Sequence, residues 1–222
     1  MTVVTRTFRA WRRARDERGH TLMELMVATA LLSVVLAATF GSLIAMQNQS
    51  SRTTDRFTAE GEAQTIADRI TKDLRTAVAP SATSAAFASA SPNDVTFYAS
   101  LSDVNGPTKL HAYTSVVPGT NVSVFHEDAT APDTGGSAGN YTYSGSPVVR
   151  LDGRYIDTTQ PMFAYYDSDG NAISAADLLT TAGLRSIDQV DITLRVQVHP
   201  NSPSVVISTR VHIRSVDYDP NS

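Results

Sequence analysis

The chain has 222 residues, enough for a membrane anchor and one soluble domain of ordinary size. It has a formal net charge of −4 and no cysteine, so its composition excludes disulfides, thiolate metal ligands and a cysteine nucleophile. Nucleic-acid binding would require a basic face in the folded part, and none is visible, so we expect no nucleic acid to be bound directly.

The first 19 residues form a basic segment. Six arginines stand there against Asp16 and Glu17, giving a net charge of +4, so the rest of the chain carries −8. Basic residues before an apolar segment stay on the cytoplasmic side of a membrane. We therefore predict that residues 1–19 are a cytoplasmic leader peptide and that an acidic domain lies beyond the membrane.

A long apolar segment follows. Leu25 to Met46 has 22 residues and no ionisable side chain, and a helix needs about 20 such residues to cross a bilayer. The alternative is a secretory signal peptide cut near Ala37, but its apolar region would be only ~7–15 residues long. Glu24 also stands at the entrance of the segment. We predict a transmembrane helix segment over residues 20–46.

The junction between leader and helix carries a resemblance. The stretch from Gly19 to Leu25, GHTLMEL, resembles the processing site of type IV prepilins and type II secretion pseudopilins. The resemblance implies that a prepilin peptidase cuts after Gly19 and methylates the new amino terminus at His20. His20 departs from the family's customary Phe or Met.

Glu24 takes the position of the family's glutamate. A carboxylate at bilayer depth costs about 2.5–3.5 kcal/mol on insertion scales, so it should be paired or functional. The resemblance implies an assembly role, in which Glu24 pairs with the free α-amine of His20 on a neighbouring subunit and fixes the packing register. Alternatively, Glu24 reaches the aqueous interface from its place near the helix end.

An amphipathic pattern continues the helix over residues 47–79. Apolar residues recur at mostly three- to four-residue steps, whereas the pairs Asp68/Lys72 and Arg69/Asp73 are expected on the opposite, polar side. Pro80 is the first proline, so nothing forces a break before it. The apolar stripe consists of Phe57, Ala63, Ile66, Ile70, Leu74 and Ala77 to Val78.

Small residues over 80–93 predict a linker, and the period changes to two beyond it, predicting a β-rich extracytoplasmic domain over 94–222. The last two strands are predicted to form a hairpin, in which Val198 faces Val205, Ile192 faces Val211, and His212 lies opposite Asp191. The predicted strands are Asp94 to Ser100, Lys109 to Val117, Asn121 to Glu127, Pro147 to Leu151, Pro161 to Tyr166, Gln189 to His199 and Ser204 to Val216.

These elements predict an α+β fold. A long N-terminal helix, with a transmembrane lower half and an amphipathic upper half, packs against a C-terminal antiparallel β-rich domain.

No pattern in the domain predicts a catalytic residue, a metal site or a cofactor. DSDGN at Asp167 to Asn171 lacks the end carboxylates of a calcium loop, so we predict a turn before a short helix capped by Ser174. GGSAG at Gly135 to Gly139 satisfies the nucleophile-elbow spacing but has loop-like flanks. The histidines show no metal-ligand spacing. We therefore expect no enzymatic activity.

The run from Pro161 to Val198 resembles the minor-pilin or pseudopilin J subgroup, with an aromatic strand, an Asp-Gly turn and a short helix before a hydrophobic strand. The resemblances imply a structural subunit of a type IV pilus or type II secretion pseudopilus, anchored in the cytoplasmic (inner) membrane. Its partners would be the peptidase and other pilins or pseudopilins. The alternative is a membrane-anchored extracytoplasmic binding domain that does not assemble.

Overall fold

The computed structural model describes residues 21–101, 106–119, 122–135, 140–200, 202–213 and 216–217. The chain divides into two compact units, Met1–Gln49 and Ser50–Ser222. Helix α1, Leu22–Arg75, contributes its first part to the first unit and its last 26 residues, 50–75, to the second.

In the first unit, the described residues form the apolar part of α1. Its most apolar 18-residue window has a mean hydropathy of 2.2, and none of that window is buried within the protein. A helix that is apolar on all sides is covered either by a protein core or by a membrane. By length and composition, this part of α1 therefore fits a membrane-anchored chain.

Besides the end of α1, the described residues of the second unit form ten strands, a 3₁₀ turn and one short helix. The strands are β1 Val78–Ala79, β2 Phe87–Ala90, β3 Asp94–Ala99, β4 Thr108–Val116, β5 Ser123–Thr130, β6 Val148–Ile156, β7 Phe163–Tyr166, β8 Gln189–Gln197, β9 Val205–His212 and β10 Val216–Asp217. A 3₁₀ turn at Asp177–Leu179 and helix α2 at Thr181–Arg185 lie between β7 and β8.

Eight strands form one antiparallel sheet. Its order is β2-β3-β4-β5-β6-β8-β7, and β9 pairs with β8 as well. The two remaining strands, β1 and β10, form a separate parallel pair in which Val78 lies opposite Val216. The first segment after α1 is thus joined to the last described segment of the chain.

The last part of α1 packs on this sheet through one face. Ala63, Ile66, Ile70 and Leu74 are at most 2% exposed and belong to the same core as the inward residues of the sheet. Their spacing of three or four residues places them on one side of the helix. The predicted α+β fold is confirmed. Sheet residues in this core include Val95, Phe97, Leu110, Phe125, Ile192 and Leu194.

The helix ends at Arg75 and not at Ala79. Thr76 and Ala77 donate their amides to the carbonyls of Asp73 and Leu74, and these three-residue steps tighten the last turn. The chain then turns into β1. Phe57, which was assigned to the apolar stripe, is 68% exposed, so the buried face begins at Ala59.

The segment over 80–93, expected as a linker, contains strand β2. Phe87 is only 2% exposed and contacts the ring of Phe97 at a centroid distance of 6.1 Å. The surrounding alanines and serines are small enough to pack at the sheet edge. Small-residue composition therefore indicated a linker where the chain forms an edge strand.

The terminal hairpin has the predicted faces but a register displaced by two residues. Val196 lies opposite Val205 and Val190 opposite Val211. The hydroxyl of Ser202 accepts hydrogen bonds from the amides of Val198 and His199, at 3.0 and 3.2 Å. Both residues therefore belong to the connection and not to the ladder. Since the displacement is even, each side chain keeps its face.

Other predicted strands differ mainly in length. β6 continues to Ile156, five residues beyond the predicted end. The last predicted strand is divided into β9 and β10. Asp191 lies opposite Arg210, and His212 lies opposite Gln189. The predicted pair of Asp191 with His212 is therefore wrong.

Candidate processing and assembly site

Two of the predicted site residues, Gly19 and His20, lie outside the described residues. The description begins at Thr21, and Glu24 lies in the first turn of α1. The side chains of Leu25 to Met46, the predicted membrane span, are exposed throughout.

Thr21 and Glu24 cap the start of α1 reciprocally. The Thr21 amide donates to Oε2 of Glu24 at 3.2 Å, and the Glu24 amide donates to the Thr21 hydroxyl at 3.3 Å. This arrangement is a capping box, in which each side chain satisfies a backbone donor that the first helical turn leaves unpaired. The T-x-x-E spacing could have predicted it from the sequence.

The cap gives Glu24 a role within its own chain. A carboxylate at a helix amino terminus is also favoured by the helix dipole, typically by about 0.3–1 kcal/mol. An amide donor is neutral, however, so the Thr21 amide itself contributes no counter-charge. The geometry therefore holds the carboxyl group of Glu24 at the head of the apolar helix.

One face of the helix leads away from Glu24. Val27, Ala28 and Leu31 follow at steps of three, four and seven residues, and with Glu24 they line a shallow groove. Ala28 leaves room on this face, and small residues allow transmembrane helices to approach closely. The face thus combines one charge with an apolar surface.

The span itself exposes no unsatisfied hydroxyl. All four of its hydroxyl groups donate back to carbonyls three or four residues earlier, at 2.7–3.0 Å. Such bonds remove the cost of placing a hydroxyl in hydrocarbon, where water cannot bind it. The hydroxyl residues are Thr29, Ser33, Thr39 and Ser42.

A buried ionic cluster lies between α1 and the sheet. Nη1 of Arg150 is 2.6 Å from Oδ2 of Asp73 and 2.6 Å from Oε1 of Glu127, and Nε of Arg69 is 3.1 Å from Oε2 of Glu127. The side chains of Asp73 and Glu127 are only 4% and 3% exposed. Arg69 and Asp73 were predicted on the polar side of the helix, and this is wrong for the buried Asp73.

The cluster is electrically balanced, with two arginines and two carboxylates. Burial raises the pKa of Glu127, although Arg150 and Arg69 act in the opposite direction. Because Asp73 and Arg69 belong to α1 while Glu127 and Arg150 belong to β5 and β6, the cluster ties the helix to the sheet. Its contacts are all internal, so we assign it a structural role.

DSDGN forms the predicted turn. Oδ1 of Asp167 accepts the amides of Asp169 and Asn171 at 3.0 and 2.8 Å, and Gly170 has a φ of 81°. These hydrogen bonds lower the pKa of Asp167. Among the residues that the structure describes, no group of three or more His, Asp or Glu side chains is arranged to hold a metal.

Two other sequence features have different outcomes. The Ser174 hydroxyl donates to Oδ2 of Asp177 at 2.6 Å and accepts its amide at 3.2 Å, so the two residues are in contact. Ser174 does not cap the short helix, however, because the N-cap of α2 is Thr180, whose hydroxyl accepts the Gly183 amide at 3.0 Å. Within GGSAG, residues 136–139 lie outside the described residues.

Comparison with known proteins gives one match. Residues 14–40 match the family described as "Prokaryotic N-terminal methylation motif". No curated protein and no solved structure is significantly similar to the chain. The match includes Gly19, His20 and Glu24, and it supports a type IV pilin-like precursor that is cleaved and methylated near its amino terminus.

Proposed function

We propose that the chain is a structural subunit, a minor pilin or J-like pseudopilin, that assembles through α1 into a type IV pilus or type II secretion pseudopilus. The observation that carries the proposal is the methylation motif at residues 14–40, joined to an apolar helix with exposed side chains. A structural subunit needs such a helix for storage in the membrane and for packing in the filament.

Processing would create a cationic partner for Glu24 on a neighbouring subunit. Cleavage after Gly19 converts the amide nitrogen of His20 into a free α-amine, which is a cation at neutral pH and stays a cation when it is methylated. The capped carboxylate of Glu24 would pair with this amine on a neighbouring subunit. Pairing two charges in a low-dielectric helix bundle offsets the cost of burying each one, and it fixes the axial register.

This proposal also implies a location and an orientation for the chain. The precursor would sit in the cytoplasmic membrane as a single-pass protein, with its leader inside and residues 50–222 outside. The outer domain would contact neighbouring minor subunits.

Coexpression with an active prepilin peptidase tests the processing step. We expect the mature protein to begin at His20, as measured by amino-terminal sequencing or intact mass, and Gly19→Ala to block cleavage. A mature protein with another first residue, or normal processing of Gly19→Ala, would contradict the proposal.

Two substitutions separate the capping role of Glu24 from its charge. Glu24→Gln keeps an acceptor for the Thr21 amide but removes the charge, whereas Glu24→Ala removes both. We expect both variants to stay in the membrane but not to be incorporated into filaments. Incorporation is measured as the fraction of the protein that is recovered with filaments sheared from the cell surface. Glu60→Gln, an exposed glutamate later in the same helix, is the matched control.

The possible outcomes of this comparison distinguish between different roles of Glu24. If Glu24→Gln assembles normally and Glu24→Ala does not, the cap is sufficient and charge pairing is wrong. If both assemble normally, the assembly role of Glu24 is wrong. An intact leader together with indifference to Glu24→Ala would favour the anchored binding domain that does not assemble.

A further inference from the structure

Ser115, His126 and Asp152 form a continuous hydrogen-bonding chain on the outer face of the sheet. The hydroxyl of Ser115 is 2.6 Å from Nε2 of His126, and Nδ1 of His126 is 2.7 Å from Oδ1 of Asp152. Hydroxyl, imidazole and carboxylate thus follow one another in the order found where a histidine activates a serine nucleophile. The three residues come from β4, β5 and β6.

A β-bulge places Asp152 in this chain. Phe125 lies opposite Arg154 and Glu127 opposite Leu151, so His126 faces two residues, Asp152 and Gly153. Gly153 has a φ of 82°, a conformation that side chains other than glycine rarely adopt. Bulges redirect side chains and are frequent beside functional sites. Here the bulge directs the carboxylate of Asp152 to Nδ1 of His126.

Stacked rings hold His126 in place. The Tyr113 ring lies 4.9 Å from the His126 ring at an interplanar angle of 20°, and His111 stacks on Tyr113 at 4.3 Å. The hydroxyl of Tyr113 donates to Asp128 at 3.2 Å, and Nε2 of His111 is 3.1 Å from Asp94. The imidazole plane is therefore fixed on one side by stacking and at its Nδ1 by Asp152.

The carboxylate also selects the tautomer. When neutral His126 donates Nδ1–H to Asp152, its Nε2 carries the lone pair and accepts the proton of Ser115. The side chain of Asp152 is 60% exposed and Ser115 is exposed, so both acyl donors and water have access. An open face supplies a general base but no enclosed pocket, which restricts the chemistry to donors with good leaving groups.

We propose that Ser115 is a nucleophilic modification site that accepts an acyl group from activated esters. The serine oxygen forms a bond to the acyl carbon while His126 takes the hydroxyl proton. The bond to the leaving alcohol then breaks, and that alcohol takes the proton from His126. The products are Ser115 ester and free alcohol, and no oxidant or further reactant is required. This site is independent of filament assembly.

Acetylation of the purified full-length protein in detergent with p-nitrophenyl acetate tests the site. We expect peptide mass mapping to find one acetyl group on Ser115, and Ser115→Ala to lose it. His126→Gln should slow acetylation of Ser115 at least ~100-fold, since a general base typically contributes 10²–10⁴-fold. Ser208→Ala is the matched control, because that serine pairs with Thr193 at 3.2 Å and has no imidazole partner.

Two results would overturn the proposal. One is acetyl groups on lysines alone with Ser115 unmodified. The other is a rate for His126→Gln equal to that of the wild type, since Ser115 would then react without assistance.

The pH dependence of the Ser115 acetylation rate distinguishes a chemical role of His126 from a purely structural one. The groups facing His126 are Ser115, Tyr113 and Asp152, with Asp128 bound to Tyr113. The rate of Ser115 acetylation should depend on pH, and the part of this dependence that is due to the imidazole should disappear in His126→Gln. At high pH the acetylation rate should reach a plateau. Asp152→Asn should lower this plateau rate at least tenfold, with Ser115 still reactive. A plateau unchanged by Asp152→Asn would contradict the positioning role of Asp152.

Discussion

Two carboxylates, Asp73 and Glu127, are buried between α1 and the sheet and share the guanidinium of Arg150. Asp73 follows Ile66 and Ile70 at helical spacing, so its position on the apolar face could have been read from the sequence. Its partner could not, because Arg150 is 77 residues away and only the folded sheet brings the two together. A charge on an apolar stripe therefore indicates a distant counter-charge.

Removing Arg150 should be strongly destabilising. Arg150→Ala leaves Asp73 buried without its closest cation and Glu127 with Arg69 alone, which should lower the free energy of unfolding by ~3–5 kcal/mol. Urea denaturation followed by circular dichroism measures this difference. Arg210→Ala, which breaks the exposed pair with Asp191, is the control and should cost much less. Equal effects would show that the buried cluster contributes no more than a surface pair.

Glu127 should also produce a pH dependence. Burial raises the pKa of Glu127 above its ordinary value of 4.5, so the folded state keeps its proton where the unfolded chain has lost it. This contribution to the free energy of unfolding is fully present below pH 4.5 and is lost as pH rises through the raised value. The stability of the wild type relative to Glu127→Gln should therefore fall with rising pH. A difference independent of pH would contradict it.

At the scale of elements, periodicity predicted the strands better than it predicted their partners. The alternation of Val190, Ile192 and Leu194 placed the inner face of β8 correctly, because one buried face enforces a period of two. The register against β9 was wrong by two residues, since it depended on Ser202 capping Val198. The pairing of β6 with β8 could not be predicted, because these strands are not consecutive in the chain and their pairing depends on contacts across the domain.

A cysteine pair can test the β8–β9 register, because the chain has no other cysteine. Thr193 and Ser208 lie opposite each other, with their hydroxyls 3.2 Å apart. Thr193→Cys with Ser208→Cys should therefore oxidise to a disulfide, as measured by the loss of free thiols. Arg195→Cys with Ser208→Cys, the pair that the register read from the sequence would favour, should remain reduced. The opposite result would restore that register.

The whole molecule joins two units of different character. In the described residues, every buried position lies from Ala59 onward, and the side chains of residues 21–49 are exposed. The division follows from composition, because an apolar surface on all sides and a single apolar stripe need different surroundings. The sequence could predict this contrast from hydropathy alone. It could not predict that β1 and β10 pair with each other.

The second unit should fold by itself. A fragment of residues 50–222 retains all the described buried residues, so we expect it to be soluble and to unfold in one cooperative transition. Its thermal midpoint should match that of the domain transition in the full-length protein in detergent. A fragment that is molten or aggregated would show that residues before Ser50 contribute to the core.

The pairing of β1 with β10 has a mechanical consequence. The two strands are parallel, one directly follows the long helix, and the other lies near the end of the chain. Traction applied through the helix and through the carboxyl terminus would pull these strands in opposite directions along their length. Their hydrogen bonds would be loaded together in shear and not opened one after another. The short β1–β10 pair thus resists a pull along the chain better than its two residue pairs would suggest.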